Sequence, residues 1–359
     1  MLKQIHKVAC APALDACSRL QMVLLAWLCD PAVKRAAINE ANLAQVLAGR
    51  AIEADWLWKF LTKEDSSQTL LARAQAIADM QDIDKTALLH WAFAVVDVAA
   101  QFQLTPAPWP ASQPALTKSQ WKIFKTLMEA FYEKGLKGGL PYDQHGNPIA
   151  SNDVSYAVFK TQFDAAHQRN PEDLQLCVLC GGEREDQSEF DHWIGKAEIP
   201  VLSVHSANLL PICHACNKSG GKGENAVHTN GLFTDWFHPY YRSAYGEAQV
   251  QYRLPVMAAH YAALKPVDDE KVKNLDQLVG LTPRWTKRFK AEYRLVQKSL
   301  RSLVKKGDVQ NNRIAVQQHL NNEKNRLLPE RPWYEVHCCL FTCLLEEARS
   351  DAWLIELAL

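Results

Sequence analysis

The first hundred residues repeat apolar side chains at intervals of three and four positions. This spacing places them on one face of an α-helix, because the helix turns once every 3.6 residues. Two such faces are formed by Leu43, Val46, Leu47 and Ile52, and by Trp56, Leu57, Phe60 and Leu61. Asn39 precedes the first face and belongs to a residue type that caps helices. The pattern predicts an all-helical domain of four to six helices over residues 1–104, with an interaction or scaffold role.

A proline-rich stretch then interrupts the helical pattern. Four prolines fall within nine positions and no charged residue is present, so this stretch forms neither helix nor central strand. We predict a linker at residues 105–117. Amphipathic spacing returns over residues 119–137, and further helices are predicted from residue 156 onward and after residue 332.

Residues 283–313 combine amphipathic spacing with an excess of positive charge. They contain ten lysine and arginine residues and two acidic residues. At about 100° per residue, one sector of a helix collects the apolar side chains Trp285, Phe289, Val296, Leu300 and Leu303. The opposite sector, which we call the basic face, collects Lys287, Lys290, Arg294, Lys298, Arg301 and Lys305. Such a face can follow a phosphate backbone without reading bases. The alternative is an ordinary solvated helix face.

The overall charge carries no functional signal. Of the 359 residues 48% are hydrophobic, and the 40 lysine and arginine residues equal the 40 aspartate and glutamate residues. A surface for nucleic acid must therefore be local.

The longest apolar run near the start, residues 21–28, is much shorter than the roughly 20 residues that span a bilayer. No secretory signal pattern is present, and we expect a cytoplasmic protein without membrane contact.

Four of the ten cysteines form two Cys-x-x-Cys pairs with 32 residues between them. The first pair is Cys177 and Cys180, and the second is Cys213 and Cys216. Each pair can make a knuckle, and four thiolates complete the tetrahedron of a structural zinc ion. Glycines after the first pair and a proline before the second favour tight turns over a helical core of unligated thiols. The other six cysteines lie in apolar segments and are predicted to be buried free thiols.

The residues around these pairs form a recognisable pattern. Its members are the neighbours Asp191 and His192, then Asn208 before a leucine, Asn217 directly after the last cysteine, and a Phe-His-Pro-Tyr at 237–240. The pattern closely resembles the zinc-containing HNH endonuclease family, which has an Asp-His pair, a central Asn-Leu and a Cys-x-x-Cys-Asn. The Phe-His-Pro-Tyr resembles a trailing motif of one bacterial branch of that family. The resemblance covers residues 160–245 well and does not include the first hundred residues.

The chemistry of phosphodiester hydrolysis explains these residue types. It needs a base that activates water and a cation that stabilises the developing negative charge. His192 can be the base because neutral imidazole accepts a proton near neutral pH. Asp191 would point to the opposite side of a short strand and offer a hard oxygen ligand. The resemblance implies that Asn217 is the second ligand of one Mg²⁺ or Mn²⁺ ion, and that Asn208 holds the strand that carries His192.

Two lysines near this pattern, Lys196 and Lys222, are candidate phosphate contacts, with solvated loop charges as the alternative. The chain departs from the family at both. Ile-Gly-Lys-Ala at 194–197 stands where many members have Leu-Pro-Lys-Ser, although the lysine is kept. Extra residues also separate Asn217 from Lys222, which leaves the role of Lys222 open.

These observations predict a mainly α protein with a small α+β module. The predicted divisions are a helical domain at 1–104, a linker at 105–117, an HNH module with its preceding helices at 118–245, and a helical region at 246–359. By resemblance, the protein cuts phosphodiester bonds of DNA or RNA with a structural Zn²⁺ and a catalytic Mg²⁺ or Mn²⁺.

The resemblance also implies a partner. Proteins of this branch often accompany ATPases in bacterial anti-phage defence, so the N-terminal domain is expected to dock a separate ATPase subunit. The chain itself has no Gly-x-x-x-x-Gly-Lys-Ser/Thr loop. The alternative from another class is a non-catalytic, zinc-stabilised nucleic-acid-binding or adaptor protein. A metalloprotease is disfavoured because no His-Glu-x-x-His occurs.

Overall fold

The computed structural model describes residues 3–358 apart from residues 67, 104, 105, 107, 108, 111, 169, 171, 185–189, 219–221, 224, 254–256 and 349. The described part is mainly helical and contains three two-stranded antiparallel sheets. This confirms a mainly α architecture with small β elements. No described helix combines the length and apolar character that crossing a membrane requires. Part of the predicted linker, residues 105, 107, 108 and 111, lies outside the described residues.

The described part of the first hundred residues forms five α-helices and a short hairpin. These are α1 (Ala11–Leu28), α2 (Glu40–Val46), α3 (Ala51–Leu61), β1 (Glu64–Asp65), β2 (Gln68–Thr69), α4 (Leu70–Ala78) and α5 (Asp82–Val96). Asn39 caps α2 as predicted, because its side chain accepts a hydrogen bond from the backbone N–H of Asn42. The hairpin corrects the all-helical prediction. Two residues per strand are too few to leave a period-two pattern in the sequence.

The central region contains two longer helices and a small ββα arrangement. Its elements are α6 (Lys118–Ala130), α7 (Tyr156–His167), β3 (Phe190–His192), β4 (Leu209–Pro211) and α8 (His214–Asn217). One π-helical turn, Phe131–Gly135, directly follows α6. Strands β3 and β4 are antiparallel, and α8 is a single turn that starts after Cys213.

The described C-terminal region contains a hairpin followed by five helices. Its elements are β5 (Ala248–Arg253), β6 (Ala258–Ala263), α9 (Asp269–Val279), α10 (Leu281–Lys306), α11 (Arg313–Asn325), α12 (Tyr334–Glu347) and α13 (Asp351–Ala358). The hairpin corrects the prediction of an entirely helical region. Ala259 and Tyr261 of β6 are buried at alternate positions, and the Tyr261 ring lies 5.3 Å from that of Trp285 on α10. Gly307, with a φ of 79°, ends α10 and separates it from α11.

The described buried apolar side chains form one continuous core through all three regions. Within it α4 packs on α6, and α10 packs on β6 and α12. Polar contacts also join the regions. The side-chain amide of Gln21 on α1 donates to the carbonyl of Met128 on α6 (3.0 Å) and to Oγ of Ser203 (3.3 Å). The N-terminal helices therefore support the loop that follows β3.

His167 at the end of α7 uses both ring nitrogens in hydrogen bonds. Its Nδ1–H donates to the carbonyl of Phe163 (2.8 Å), and its Nε2 accepts from the backbone N–H of His6 (3.0 Å). Burial lowers the pKa of His167 to about 4, against the opposing hydrogen bond to Phe163; His6 and Arg184 lower it further and Asp164 raises it. The unfolded chain has a value near 6.5. The neutral ring therefore stabilises the fold fully above about pH 6.5, and this contribution is lost as the pH falls toward 4.

We expect His167 to contribute about 2 kcal/mol to the loss of stability between pH 7 and pH 5. Urea unfolding at the two pH values measures this loss. The variant His167→Gln keeps a donor and an acceptor but cannot titrate, so its unfolding free energy should change less over the same interval. Equal pH dependence in the parent and the variant would contradict the assignment.

Candidate functional site

The four paired cysteines converge in one buried cluster. Their Sγ atoms all lie within 4.8 Å of one another. The Sγ atoms of Cys177 and Cys216 are 3.8 Å apart, and those of Cys180 and Cys213 are 3.7 Å apart. The first pair lies on a tight turn in which Gly181 adopts a φ of 72°. The second pair brackets the start of α8.

The spacing of the cluster fits a tetrahedral metal ion. Zinc–sulfur bonds of about 2.3 Å place neighbouring sulfurs of a tetrahedron about 3.8 Å apart. The separations of 3.7 and 3.8 Å in two of the six sulfur pairs match this value, and the sulfurs of every pair lie within 4.8 Å. The cluster could therefore bind a structural metal such as zinc. No second group of three or more potential metal ligands is found among the described residues.

The other six cysteines are free thiols, as the sequence predicts. Four are buried and two are half-buried: Cys10, Cys17, Cys29 and Cys343 in the first group, Cys338 and Cys339 in the second. Burial raises the pKa of Cys10 to about 11 and that of Cys29 to about 12. Thiols with such pKa values are neutral and unreactive at neutral pH.

His192 lies at the end of β3 with one ring nitrogen committed. Its Nε2–H donates to the carbonyl of Ser203 (2.8 Å), so Nδ1 carries the lone pair. The residue is 5% exposed, and the Tyr132 ring meets the imidazole edge to face with 4.7 Å between the ring centres. Burial lowers the pKa of His192 to about 3. The imidazole is therefore neutral at physiological pH and presents Nδ1 as a proton acceptor.

Ser203 is held from two other helices. Its Oγ–H donates to the carbonyl of Met128 at the end of α6 (2.7 Å), and the same Oγ accepts from Gln21 of α1 (3.3 Å). Ser203 and Gln21 are fully buried. The carbonyl that orients His192 thus belongs to a residue fixed by α1 and α6. Sequence reasoning missed this support because nothing local marks it.

Asn208 bridges the loop between β3 and β4. Its side-chain Oδ1 accepts from the backbone N–H of Ile194 (2.7 Å), and its Nδ2 donates to the carbonyls of Ile194 (2.9 Å) and Leu202 (3.2 Å). The side chain is 1% exposed. Its backbone carbonyl also accepts from Trp193. Asn208 therefore acts on the loop and the end of β3 and uses its whole carboxamide for that purpose.

Asp191, which precedes His192 on β3, meets a buried lysine. The ammonium Nζ of Lys222 lies 2.9 Å from Oδ2 of Asp191, and Lys222 is 0% exposed. Burial raises the pKa of Asp191, against the opposing effect of Lys222. Lys222 is thus an internal counter-ion of Asp191. The structure does not place its ammonium group on the surface, where a phosphate would meet it.

Asn217 ends α8, and its backbone carbonyl contacts the residue that follows Lys222. The backbone N–H of Gly223 donates to the carbonyl of Asn217 (3.2 Å), and that of Lys222 donates to the carbonyl of Cys216 (2.8 Å). These two bonds fold the segment 222–223 back over the end of α8. Asp191 and Asn217 therefore both contact this segment, Asp191 through its carboxylate and Asn217 through its backbone carbonyl.

Lys196 is held by residues that the sequence did not mark. Its ammonium group forms an ion pair with Glu133 and lies 4.9 Å from the centre of the Tyr132 ring. Lys137 also pairs with Glu133, at 2.7 Å. Burial acts to raise the pKa of Glu133, but the two lysines lower it. Tyr132 and Glu133 reach the site on the π-helical turn after α6, a feature often found at functional sites.

The basic face of α10 is mostly exposed. Five of its six predicted residues are exposed: Lys287, Lys290, Arg294, Lys298 and Lys305. Arg301 is half-buried. On the opposite sector Trp285, Phe289 and Leu300 are at most 1% exposed. The helix thus packs by its apolar side and presents its basic side to solvent.

His238 of the Phe-His-Pro-Tyr segment is fully buried. Its Nδ1 accepts from the backbone N–H groups of Tyr240 (3.2 Å) and Tyr241 (3.4 Å), and burial lowers its pKa. The hydroxyl of Tyr240 donates to the carbonyl of Leu209 on β4 (2.9 Å). This segment braces β4.

Comparisons with protein-family models, with curated proteins and with solved structures find no match. The fold and the site therefore define a class by their own features: a mainly helical protein with a buried four-cysteine cluster suited to a structural metal. The resemblance to HNH endonucleases rests on the residues named above, and the activity that it implies is a proposal.

Proposed function

We propose that the protein is an HNH-type endonuclease that hydrolyses phosphodiester bonds with His192 as the general base. The observation that carries the proposal is the state of this imidazole. Its Nε2–H is committed to the Ser203 carbonyl at 2.8 Å, which fixes the ring and leaves the lone pair on Nδ1. A fixed ring with a free acceptor nitrogen is what proton abstraction from water requires.

The neighbouring residues have defined tasks in this proposal. Asp191 and Asn217 would hold a hard divalent cation such as Mg²⁺ or Mn²⁺, since carboxylate and carboxamide oxygens are the ligand types it prefers. When bound, such a cation stabilises negative charge on the phosphate. Lys222 orients the buried Asp191 and favours its ionised form. The cysteine cluster, holding zinc, fixes Asn217 because this residue directly follows Cys216.

The basic face of α10 is proposed to bind the phosphate backbone of DNA or RNA. Its exposed lysine and arginine side chains run along one side of a 26-residue helix. In a chain with no net charge, this concentration favours a local nucleic-acid surface over a general field.

Reversing three of these charges should weaken nucleic-acid binding for all sequences alike. We expect the triple variant Lys290→Glu, Arg294→Glu, Lys298→Glu to lower the salt dependence of duplex binding, with a log–log slope smaller by about 2–3. All three side chains are exposed, so zinc content and circular dichroism should stay unchanged. Fluorescence anisotropy over a salt series measures the slope.

The matched control reverses three exposed lysines elsewhere. Lys34, Lys59 and Lys273 have side chains that are 55%, 71% and 59% exposed. Their replacement by glutamate changes the net charge by the same amount but should leave the slope nearer to that of the parent. An unchanged slope in the α10 variant would reduce the basic face to an ordinary solvated surface.

One observation favours a second candidate function, a non-catalytic zinc-stabilised nucleic-acid-binding or adaptor protein. The Asp191 carboxylate already has an internal cation, because Lys222 pairs with it at 2.9 Å. Incubation of purified protein with Mg²⁺ or Mn²⁺ and plasmid, single-stranded DNA or total RNA separates the two functions. Metal-dependent cleavage supports the nuclease, whereas binding without cleavage supports the adaptor.

A further inference from the structure

Arg284, in the first turns of α10, contacts the cysteine cluster directly. Its Nη1–H donates to Sγ of Cys216 (3.1 Å), and its Nη2–H reaches Sγ of Cys180 (3.4 Å) and Sγ of Cys213 (3.7 Å). One guanidinium group thus touches three of the four sulfurs. Its planar fork can serve several acceptors at once, which a lysine ammonium on a flexible stem does less well.

The negative charge of a metal-filled cysteine cluster favours a positively charged side chain beside it. Four thiolates around one divalent ion carry a net charge of about −2, and the four cysteine side chains are at most 6% exposed. Burying uncompensated charge is costly unless a partner of opposite sign is present. Hydrogen bonds between a charged donor and a charged acceptor are also stronger than neutral ones. Arg284 provides both the opposite charge and the charged hydrogen-bond donor.

The same end of α10 also forms a hydrogen bond with the backbone of the first cysteine pair. The indole N–H of Trp285, a side chain with 0% exposure, donates to the carbonyl of Cys180 (3.1 Å). From the start of α12, the backbone N–H of Trp333 donates to the carbonyl of Gly181 (2.7 Å). The Trp333 ring covers Gly182 so closely that a Cβ there would lie 2.4 Å from the ring. The starts of α10 and α12 are therefore both hydrogen-bonded to the turn that carries Cys177 and Cys180.

We propose that Arg284 is an outer partner of the metal centre. Its guanidinium group holds the metal-bound thiolates by N–H···S bonds, and these bonds attach the first turns of α10 to the cluster. The metal centre would then determine the position of the basic face as well as the fold of the ββα arrangement. The inference rests on the metal part of the proposed function and does not depend on nuclease activity.

Zinc release tests this role. A chromophoric chelator in excess reports the rate at which zinc leaves the folded full-length protein. We expect Arg284→Met to release zinc about 10–100-fold faster than the parent, because losing a partner of a metal ligand usually lowers metal affinity by that factor. Arg284→Lys keeps the charge but not the fork and should fall between them. Arg326→Met removes an arginine with a 76% exposed side chain and should match the parent.

A second measurement detects the N–H···S bonds themselves. In Co²⁺-substituted protein, the thiolate-to-cobalt charge-transfer band should move to lower energy in Arg284→Lys, because a thiolate with fewer hydrogen bonds donates electrons more readily. A residue with only a packing role would not shift this band. The lysine variant also carries the test if Arg284→Met does not fold.

The outcomes separate this inference from the metal proposal. If both Arg284 variants contain zinc, release it at the parental rate and show an unshifted band, the role of Arg284 is overturned but the metal proposal is not. A parent that folds with no bound zinc would remove the metal centre and this inference with it.

Discussion

Replacing Cys180 by serine is expected to unfold the central region and abolish zinc binding, in a parent that contains one zinc ion per chain. Zinc binding at small structural sites contributes on the order of 10 kcal/mol, which is comparable to the total stability of a domain. The cluster also lies inside the continuous core, so its loss would expose apolar surface. Metal analysis gives the zinc content, and circular dichroism with urea unfolding gives the stability.

Cys338→Ser is the matched control for this experiment. Cys338 is half-buried and lies outside the four-cysteine cluster, so its variant should keep full zinc and a native spectrum. Folded parent protein with only a trace of zinc would contradict the assignment of the cluster as a metal centre. Native stability and zinc content in Cys180→Ser would contradict it as well.

Replacing His192 by alanine is expected to lower the cleavage rate by roughly 10²–10⁴-fold, the usual contribution of a general base. Nucleic-acid binding should be nearly unchanged, because His192 is 5% exposed and the basic face lies on another helix. Asp191→Ala should abolish metal-dependent cleavage, since it removes a proposed ligand, and excess Mn²⁺ should restore part of it. Cleavage rates over a range of Mg²⁺ and Mn²⁺ concentrations distinguish the two variants.

The control for the histidine variant is His145→Ala, which changes an exposed side chain in a loop. It should cut at the parental rate. All variants are compared only if they keep native circular dichroism and full zinc, because Ser203 and Tyr132 pack around His192 and its removal can loosen them. Parental cleavage by both His192→Ala and Asp191→Ala would place the activity elsewhere and favour the adaptor.

Local pattern was sufficient for several features of this protein. Asn39 caps α2, and the apolar sector of α10 buries Trp285 and Phe289, because capping and helical periodicity involve residues only a few positions apart. The four-cysteine cluster was also predictable. Each Cys-x-x-Cys pair fixes two ligands close together in the chain. One zinc ion needs four such ligands, which favours bringing the two pairs together whatever path the intervening residues take.

Only the tertiary structure decided what surrounds these residues. Arg284 meets Cys180 across 104 positions of sequence separation, and Lys196 meets Glu133 across 63. The carbonyl that orients His192 belongs to Ser203, which Gln21 contacts from 182 positions away. Such contacts leave no periodic trace in the sequence, because they depend on how the helices pack against one another. The sequence by itself thus determined the donor set and the helix faces. The packing of distant elements decided which nitrogen of His192 is free, which lysines are paired and which side chain lies against the cysteine sulfurs.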